Sequence, residues 1–136
     1  MAHAVVNFFT NMMKHLDSEF IISYPYCYAL NPLITEGIEC MTDQEKAIKG
    51  ADFIYTKNWC SYDHYGQILK TDDQWMITPD KMELTNNGKF MHCLPIRRNI
   101  VATDGVLDSP RSLVIQQSQN RIYSAQAVLK QLLENG

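Results

Sequence analysis

Between Asn87-Gly88 and Pro95 the chain runs Lys89-Phe90-Met91-His92-Cys93-Leu94, a short apolar stretch closed at both ends by residues that a sheet interior tolerates poorly. The Asn and Gly residues of Thr85-Asn86-Asn87-Gly88 accept the left-handed backbone angles of a turn. Proline has no N–H to give to a ladder. The stretch is therefore predicted to be a buried strand that stops at Pro95. Ile96-Arg97-Arg98-Asn99 follows, so a thiol, the Leu94 carbonyl and a guanidinium gather at a strand's carboxyl end. In open α/β sheets that end is where ligands sit.

The rest of the chain alternates around this strand. Val5, Phe8, Phe9, Met12, Met13 and Leu16 recur at helical spacing, which predicts an amphipathic helix with its apolar face on a sheet. Residues 20–24 form a buried strand stopped by Pro25, and 28–33 a loop leading into a short helix. Strands are predicted at 38–42 and 52–57, with a helix at 44–49 between them, capped by Thr42 or Asp43 and ended by Gly50. Residues 58–80 lose periodicity and interleave Trp, Tyr, Asp, His and Gly, a loop long enough to suggest function. Thr78-Pro79 starts another helix. A last strand is predicted at 112–115 and a C-terminal helix at 124–134 with an apolar stripe of Ala127, Val128, Leu129, Leu132 and Leu133. About five strands with helices between them imply a parallel sheet covered on both faces, half of a doubly wound α/β enzyme.

Composition narrows the class. The 136 residues are 46% hydrophobic and 20% charged, enough for one core, and a net charge of −3 leaves no electrostatic footprint for nucleic acid or an anionic membrane. No apolar run reaches the roughly 20 residues of a membrane span, and no signal peptide is recognisable. Cys27, Cys40, Cys60 and Cys93 are scattered without a C-x-x-C pair, so a reduced, cytoplasmic protein is expected. There is no G-x-G-x-x-G or P-loop for a nucleotide. Asp63, His64, Asp72 and Asp73 fit no standard metal spacing and are read as solvated loop residues; no metal or cofactor is expected.

Taken alone, the residues leave alternatives open. Arg97 suits an oxygen that gains charge during acyl transfer, or equally a structural pair with a carboxylate such as Asp104. Cys93 beside His92 suggests a Cys-His nucleophile, but adjacent strand residues point to opposite faces; a lone cysteine is by default a small buried hydrophobe. Lys57 ends a strand and could simply snorkel. Arg98 is expected to face solvent or a structural partner.

His92-Cys93-Leu94-Pro95 with Arg97, then Thr103-Asp104 and Asp108-Ser109-Pro110-Arg111-Ser112, resembles the substrate-binding half of the aspartate/ornithine carbamoyltransferase family. Leu84-Thr85-Asn86-Asn87 and the run from His92 to Asn99 resemble its branch acting on N-acetyl- and N-succinylornithine, and the likeness runs from about Ala4 onward. The resemblance implies one ornithine-side domain over residues 1–136, a Rossmann-like sheet of about five strands lacking that domain's first strand, and no carbamoyl phosphate domain: the His-Pro-x-Pro-Leu, Ser-Thr-x-x-Arg and His-Pro-x-Gln motifs are not in the sequence. It implies that Arg97 holds the carbamoyl oxygen of carbamoyl phosphate beside the phosphate. Cys93 and the Leu94 carbonyl would position the attacking amine, with no covalent intermediate. Tyr55-x-Lys57-x-Trp59 matches the branch's context, in which the lysine binds the substrate α-carboxylate; ordinary ornithine enzymes carry an Asp and a Ser-Met-Gly run instead. Acylation removes the α-nitrogen's charge, so an acidic partner loses its purpose. Val101 stands where N-acetylornithine enzymes place a lysine and is apolar as in N-succinylornithine enzymes, which tilts the expectation toward succinyl. Gln119-Asn120-Arg121 matches the family's Glu-Asn-Arg turn before the last helix. The implied partners are N-acylated ornithine, carbamoyl phosphate, and the family's other domain and subunits in a trimer serving arginine biosynthesis. The alternative is a non-catalytic amino-acid-binding or interaction module derived from the same family.

Overall fold

The computed structural model describes residues 2–58 and 73–135, and in them short helices and strands alternate. Helix α1 (Ala2–Met13) leads to strand β1 (Ile21–Ser23), α2 (Pro32–Thr35), β2 (Glu39–Met41), α3 (Gln44–Ile48) and β3 (Phe53–Thr56). Then follow α4 (Pro79–Glu83), β4 (Lys89–His92), α5 (Asp104–Leu107) and the long α6 (Val114–Glu134). The short helices α2, α3 and α4 start on side-chain caps. Asp43 accepts the backbone N–H of Lys46, and Thr78 that of Lys81 with Pro79 at the first helical position. Lys49 ends α3 and Gly50 follows in the left-handed region, φ +74°.

The turn after α4 fixes the central strand pair. The backbone N–H of Asn86 donates to the Ala51 carbonyl at 3.1 Å and that of Lys89 to the Asp52 carbonyl at 2.9 Å, while the Asn86 amide reaches the Asp52 carboxylate at 2.8 Å. Asn87 takes φ +49°. These bonds set β4 parallel to β3, with Phe53 opposite Lys89 and Thr56 opposite His92. Gly88 is required by close approach: a Cβ there would lie 2.7 Å from the Ala51 carbonyl oxygen. Gly88→Ala is therefore expected to cost about 1–3 kcal/mol by overpacking, seen as a lowered urea midpoint. An unchanged midpoint would show that the turn does not set the register.

Beneath this pair lies the core: Ile48, Ile54, Ile77, Met82, Phe90, Ala102, Val106, Leu107 and Val114, with Leu94 and Ile96 packed against it. Phe90 is fully buried. On the other face of the sheet Phe9 of α1 stacks on Tyr55 with ring centroids 4.5 Å apart, and meets Phe20 edge-on at 5.9 Å. That contact delivers the expected packing of α1 on a strand, although Phe8 and Leu16 stay exposed.

Four sequence expectations are corrected. The described residues hold four strands, paired as two separate parallel two-stranded sheets, β1–β2 and β3–β4, where one sheet of about five was expected. The predicted strand at 112–115 shrinks to a single bridge between Ser112 and Phe90, because Val114 already begins α6. Leu113-Val114-Ile115 is a short apolar run that periodicity cannot assign to strand or helix; Val114 is buried and Ile115 open, as a helix entering solvent requires. In consequence Asn120 and Arg121 lie inside α6, where a turn was expected. The β1 strand is also less buried than predicted, with Ile21 exposed. The stripe on α6 is present, but Val128, Leu129, Leu132 and Leu133 are uncovered by any described residue.

Candidate functional site

Because Thr56 and His92 pair in parallel register, Lys57 and Cys93 leave the two strands level with each other, at the carboxyl end of the sheet. The Asn58 side-chain amide donates to the Pro95 carbonyl at 2.8 Å and ties the two departing segments together. Leu94 takes φ +46°, and the Leu94-Pro95 peptide is cis. Its carbonyl accepts no hydrogen bond from any described residue.

Cys93 and His92 do not form a nucleophile pair. The His92 Nδ1 accepts the Leu94 backbone N–H at 2.9 Å, and the ring is wholly buried. Burial first, and then the nearby charge of Lys57, pull its pKa down to about 4, so it is neutral. The Cys93 thiol, half-buried and free, instead sits beside the Tyr55 phenol. Burial, with that thiol next to it, pushes Tyr55 up to about 12, while a hydrogen bond with the Gln117 side chain on α6 works in the opposite sense. Neither Tyr55 nor Gln117 was named as a site residue from sequence. Gln117 has no spacing signal, but Tyr55 had one, since strand alternation places it on the face of Lys57.

The two arginines after Pro95 part company. Arg98 donates to Asp104 Oδ1 at 2.6 Å and to both carboxylate oxygens of Asp108, at 2.7 and 3.0 Å. Asn99, at φ +56°, closes the same loop by exchanging hydrogen bonds with Asp104. The carboxylate that could have claimed Arg97 is thus held by Arg98. Arg97 is exposed and its guanidinium has no partner among the described residues, while its carbonyl accepts the N–H of buried Val101 at 3.0 Å. Lys57, half-buried, likewise makes no ion pair or side-chain hydrogen bond among them.

Hydrogen bonds from Arg98 hold both Asp104 and Asp108 below the usual carboxylate range. Depressed carboxyl values stabilise the folded loop above the unfolded value of about 3.9, and that contribution is lost as pH falls through the folded values. Arg98→Met should return both carboxyl titrations, followed by ¹³C NMR, to the ordinary range; unchanged titrations would place the cause elsewhere.

Trp59, expected beside Lys57, lies outside the described residues, as do Asp63, His64 and Asp72. Among the described residues no three His, Cys, Asp or Glu side chains gather as a metal ion would need. None of their helices is long and apolar enough to cross a membrane. A separate open hollow of about 450 Å³ lies between the start of α3 and the segment before α4. Its cation, Lys81, is engaged by Gln44 and by the carbonyls of Gln74 and Met76.

The comparisons with known proteins bear on this arrangement. The family model for the aspartate/ornithine carbamoyltransferase Asp/Orn-binding domain matches residues 30–132. The chain is 50% identical over 137 residues to an N-succinylornithine carbamoyltransferase of Bacteroides fragilis, covering 99% of the chain and 43% of that protein. It is 47% identical over 136 residues to one of Bacteroides thetaiotaomicron, covering 98% and 43%. An N-acetylornithine carbamoyltransferase of Xanthomonas campestris is 38% identical over 103 residues, 71% of the chain and 30% of the relative. The chain thus spans less than half the length of these relatives. The crystal structure of an acetylornithine transcarbamylase complexed with acetylcitrulline superposes with a TM-score of 0.78 at 27% identity, over 91% of this chain and 42% of that one. A match across most of the chain, carried by sequence and fold alike, makes this chain a member of the aspartate/ornithine carbamoyltransferase family, in its aspartate/ornithine-binding domain.

Proposed function

We propose that residues 1–136 are the amino-acid-binding domain of an N-acylornithine carbamoyltransferase, with succinyl favoured over acetyl. The observation that carries this is the pair of cations without partners among the described residues, Lys57 in the segment leaving β3 and Arg97 in the segment leaving β4 after Cys93 and Leu94. Lys57, with Trp59 beside it in sequence, binds the α-carboxylate. The Cys93 thiol and the Leu94 carbonyl orient the neutral δ-amine. That amine attacks the carbonyl carbon of carbamoyl phosphate: the N–C bond forms, the bond to the phosphate oxygen breaks, the amine's proton leaves with the phosphate, and N-acylcitrulline is the other product. Arg97 stabilises the charge that develops on the carbamoyl oxygen, the kind of preorganised donor that carries much of the catalysis in acyl transfer. Orientation supplies much of the rest. Apolar, buried Val101 and the identities to the two Bacteroides enzymes support succinyl.

The phosphate-binding half belongs to the rest of such an enzyme, so the 136 residues alone transfer no carbamoyl group. The working enzyme is a cytoplasmic trimer in arginine biosynthesis. A chimera in which this chain replaces the matching segment of the Bacteroides fragilis relative tests the proposal. It should form N-succinylcitrulline, and Arg97→Ala should lower kcat by about 10²–10³-fold, the usual loss for one oxyanion donor. A folded chimera that carbamoylates free ornithine in preference, or turnover by the 136 residues alone, would contradict it.

A further inference from the structure

We propose that His92 is a positioning residue: by accepting the Leu94 backbone N–H at Nδ1, it holds the turn after β4 in the one conformation that leaves the Leu94 carbonyl open to a ligand amine. Leu94 sits at φ +46°, in the left-handed region that an L-residue with a side chain rarely adopts because its Cβ crowds the following carbonyl oxygen. Such a conformation persists only where its surroundings over-determine it. His92 supplies that determination. Its backbone is pinned in β4 opposite Thr56, its ring is fully buried, and its Nδ1 lies 2.9 Å from the Leu94 nitrogen.

An apolar side chain would fill the same space more cheaply, since buried polar atoms without partners are costly. His92 bears that cost: its Nε2 is buried with no partner among the described residues. What the imidazole provides in return is the single acceptor aimed at Leu94. The acceptor role requires the neutral Nε2–H tautomer, and burial together with the charge of Lys57 keeps the ring neutral. On the other side of the turn, Asn58 holds the Pro95 carbonyl, so Leu94 is clamped between two side-chain hydrogen bonds. The catalytic part of this inference rests on the amine-binding role proposed for the Leu94 carbonyl; the backbone part does not.

The test uses two substitutions and two readouts. His92→Asn keeps an acceptor near the Nδ1 position, and His92→Leu removes it. In the 136-residue chain, His92→Leu should speed hydrogen exchange of the Leu94 amide at least tenfold, and His92→Asn should keep it within about threefold of wild type. In the Bacteroides chimera with N-succinylornithine, His92→Leu should lower kcat at least tenfold with little change in KM, and His92→Asn should restore most of it. If His92→Leu does not fold, ¹⁵N spectra of the wild-type imidazole decide: the Nε2–H tautomer at neutral pH supports the proposal and the Nδ1–H tautomer overturns it. Unchanged Leu94 exchange in a folded His92→Leu chain, or Asn rescuing no better than Leu, also overturns it. An inactive wild-type chimera would count against the proposed function, while Leu94 exchange would still decide for or against His92.

Discussion

Replacing Phe90 with alanine is expected to cost the fold about 3–5 kcal/mol, as for other large buried aromatics. Domains of this kind hold only about 5–15 kcal/mol in total, so a large share of the chain's stability rests on one ring. The ring is fully buried at the centre of the core cluster, with Ile54 on the paired strand and Val114 at the start of α6. The backbone of Phe90 is the hinge of the same assembly: its N–H donates to the Arg111 carbonyl at 2.9 Å and its carbonyl accepts the Leu113 N–H at 2.8 Å. Alanine keeps both bonds, so the loss isolates the side chain. With a urea slope of about 1–3 kcal/mol/M, the unfolding midpoint should fall by about 2 M. Phe53, on the neighbouring strand but exposed, provides the contrast; Phe53→Ala should stay within about 0.5 kcal/mol. Equal effects at the two positions would mean that the core is not where the fold places it.

Lys57→Met carries the second large effect, this time on binding. Under the proposed function the ammonium meets the α-carboxylate of N-acylornithine, a charged hydrogen bond worth about 1.5–3 kcal/mol. Its removal should weaken binding by roughly 10- to 150-fold. Stability should scarcely change, because Lys57 has no ion pair or side-chain hydrogen bond to lose among the described residues. The carboxylate can also be deleted from the ligand. N-Succinylputrescine should bind the wild-type chain as weakly as N-succinylornithine binds the variant, and the variant should not distinguish the two ligands. That double cycle separates a direct contact from a general loss of positive charge. Within the protein, the same substitution should let the His92 titration rise from about 4, since the Lys57 charge is its second cause after burial. Retained discrimination between the two ligands by Lys57→Met would reassign the carboxylate to another group.

What could be read from sequence was mostly local. The Asn86-Asn87-Gly88 turn, the Thr78-Pro79 helix start and the end of β4 before Pro95 follow from the chemistry of a few adjacent residues, and all three are present. Asp43 rather than Thr42 caps α3, a choice that depends on which side chain reaches the Lys46 N–H. The fifth strand failed because Leu113-Val114-Ile115 is too short to reveal its period, and only packing of Val114 against the core decides it. At the candidate site, a strand end and a spaced motif pointed to Cys93, Leu94, Arg97 and Lys57, and the parallel register does bring the ends of β3 and β4 level at Thr56 and His92. Which arginine Asp104 would take was not legible, since Arg97 and Arg98 are adjacent and only the loop closed by Asn99 selects Arg98. The approach of Tyr55 to Cys93 depends on strand pairing between distant segments, and no local pattern encodes it.

The most direct test of the central claim, that the carboxyl ends of β3 and β4 form an N-acylornithine site, is calorimetric titration of the chain with N-succinylornithine, N-acetylornithine and ornithine, with and without carbamoyl phosphate. The acylated ligands should bind, succinyl more tightly than acetyl, and free ornithine should not. Binding of free ornithine as tight as that of N-succinylornithine, or no binding by any of the three, would contradict that claim.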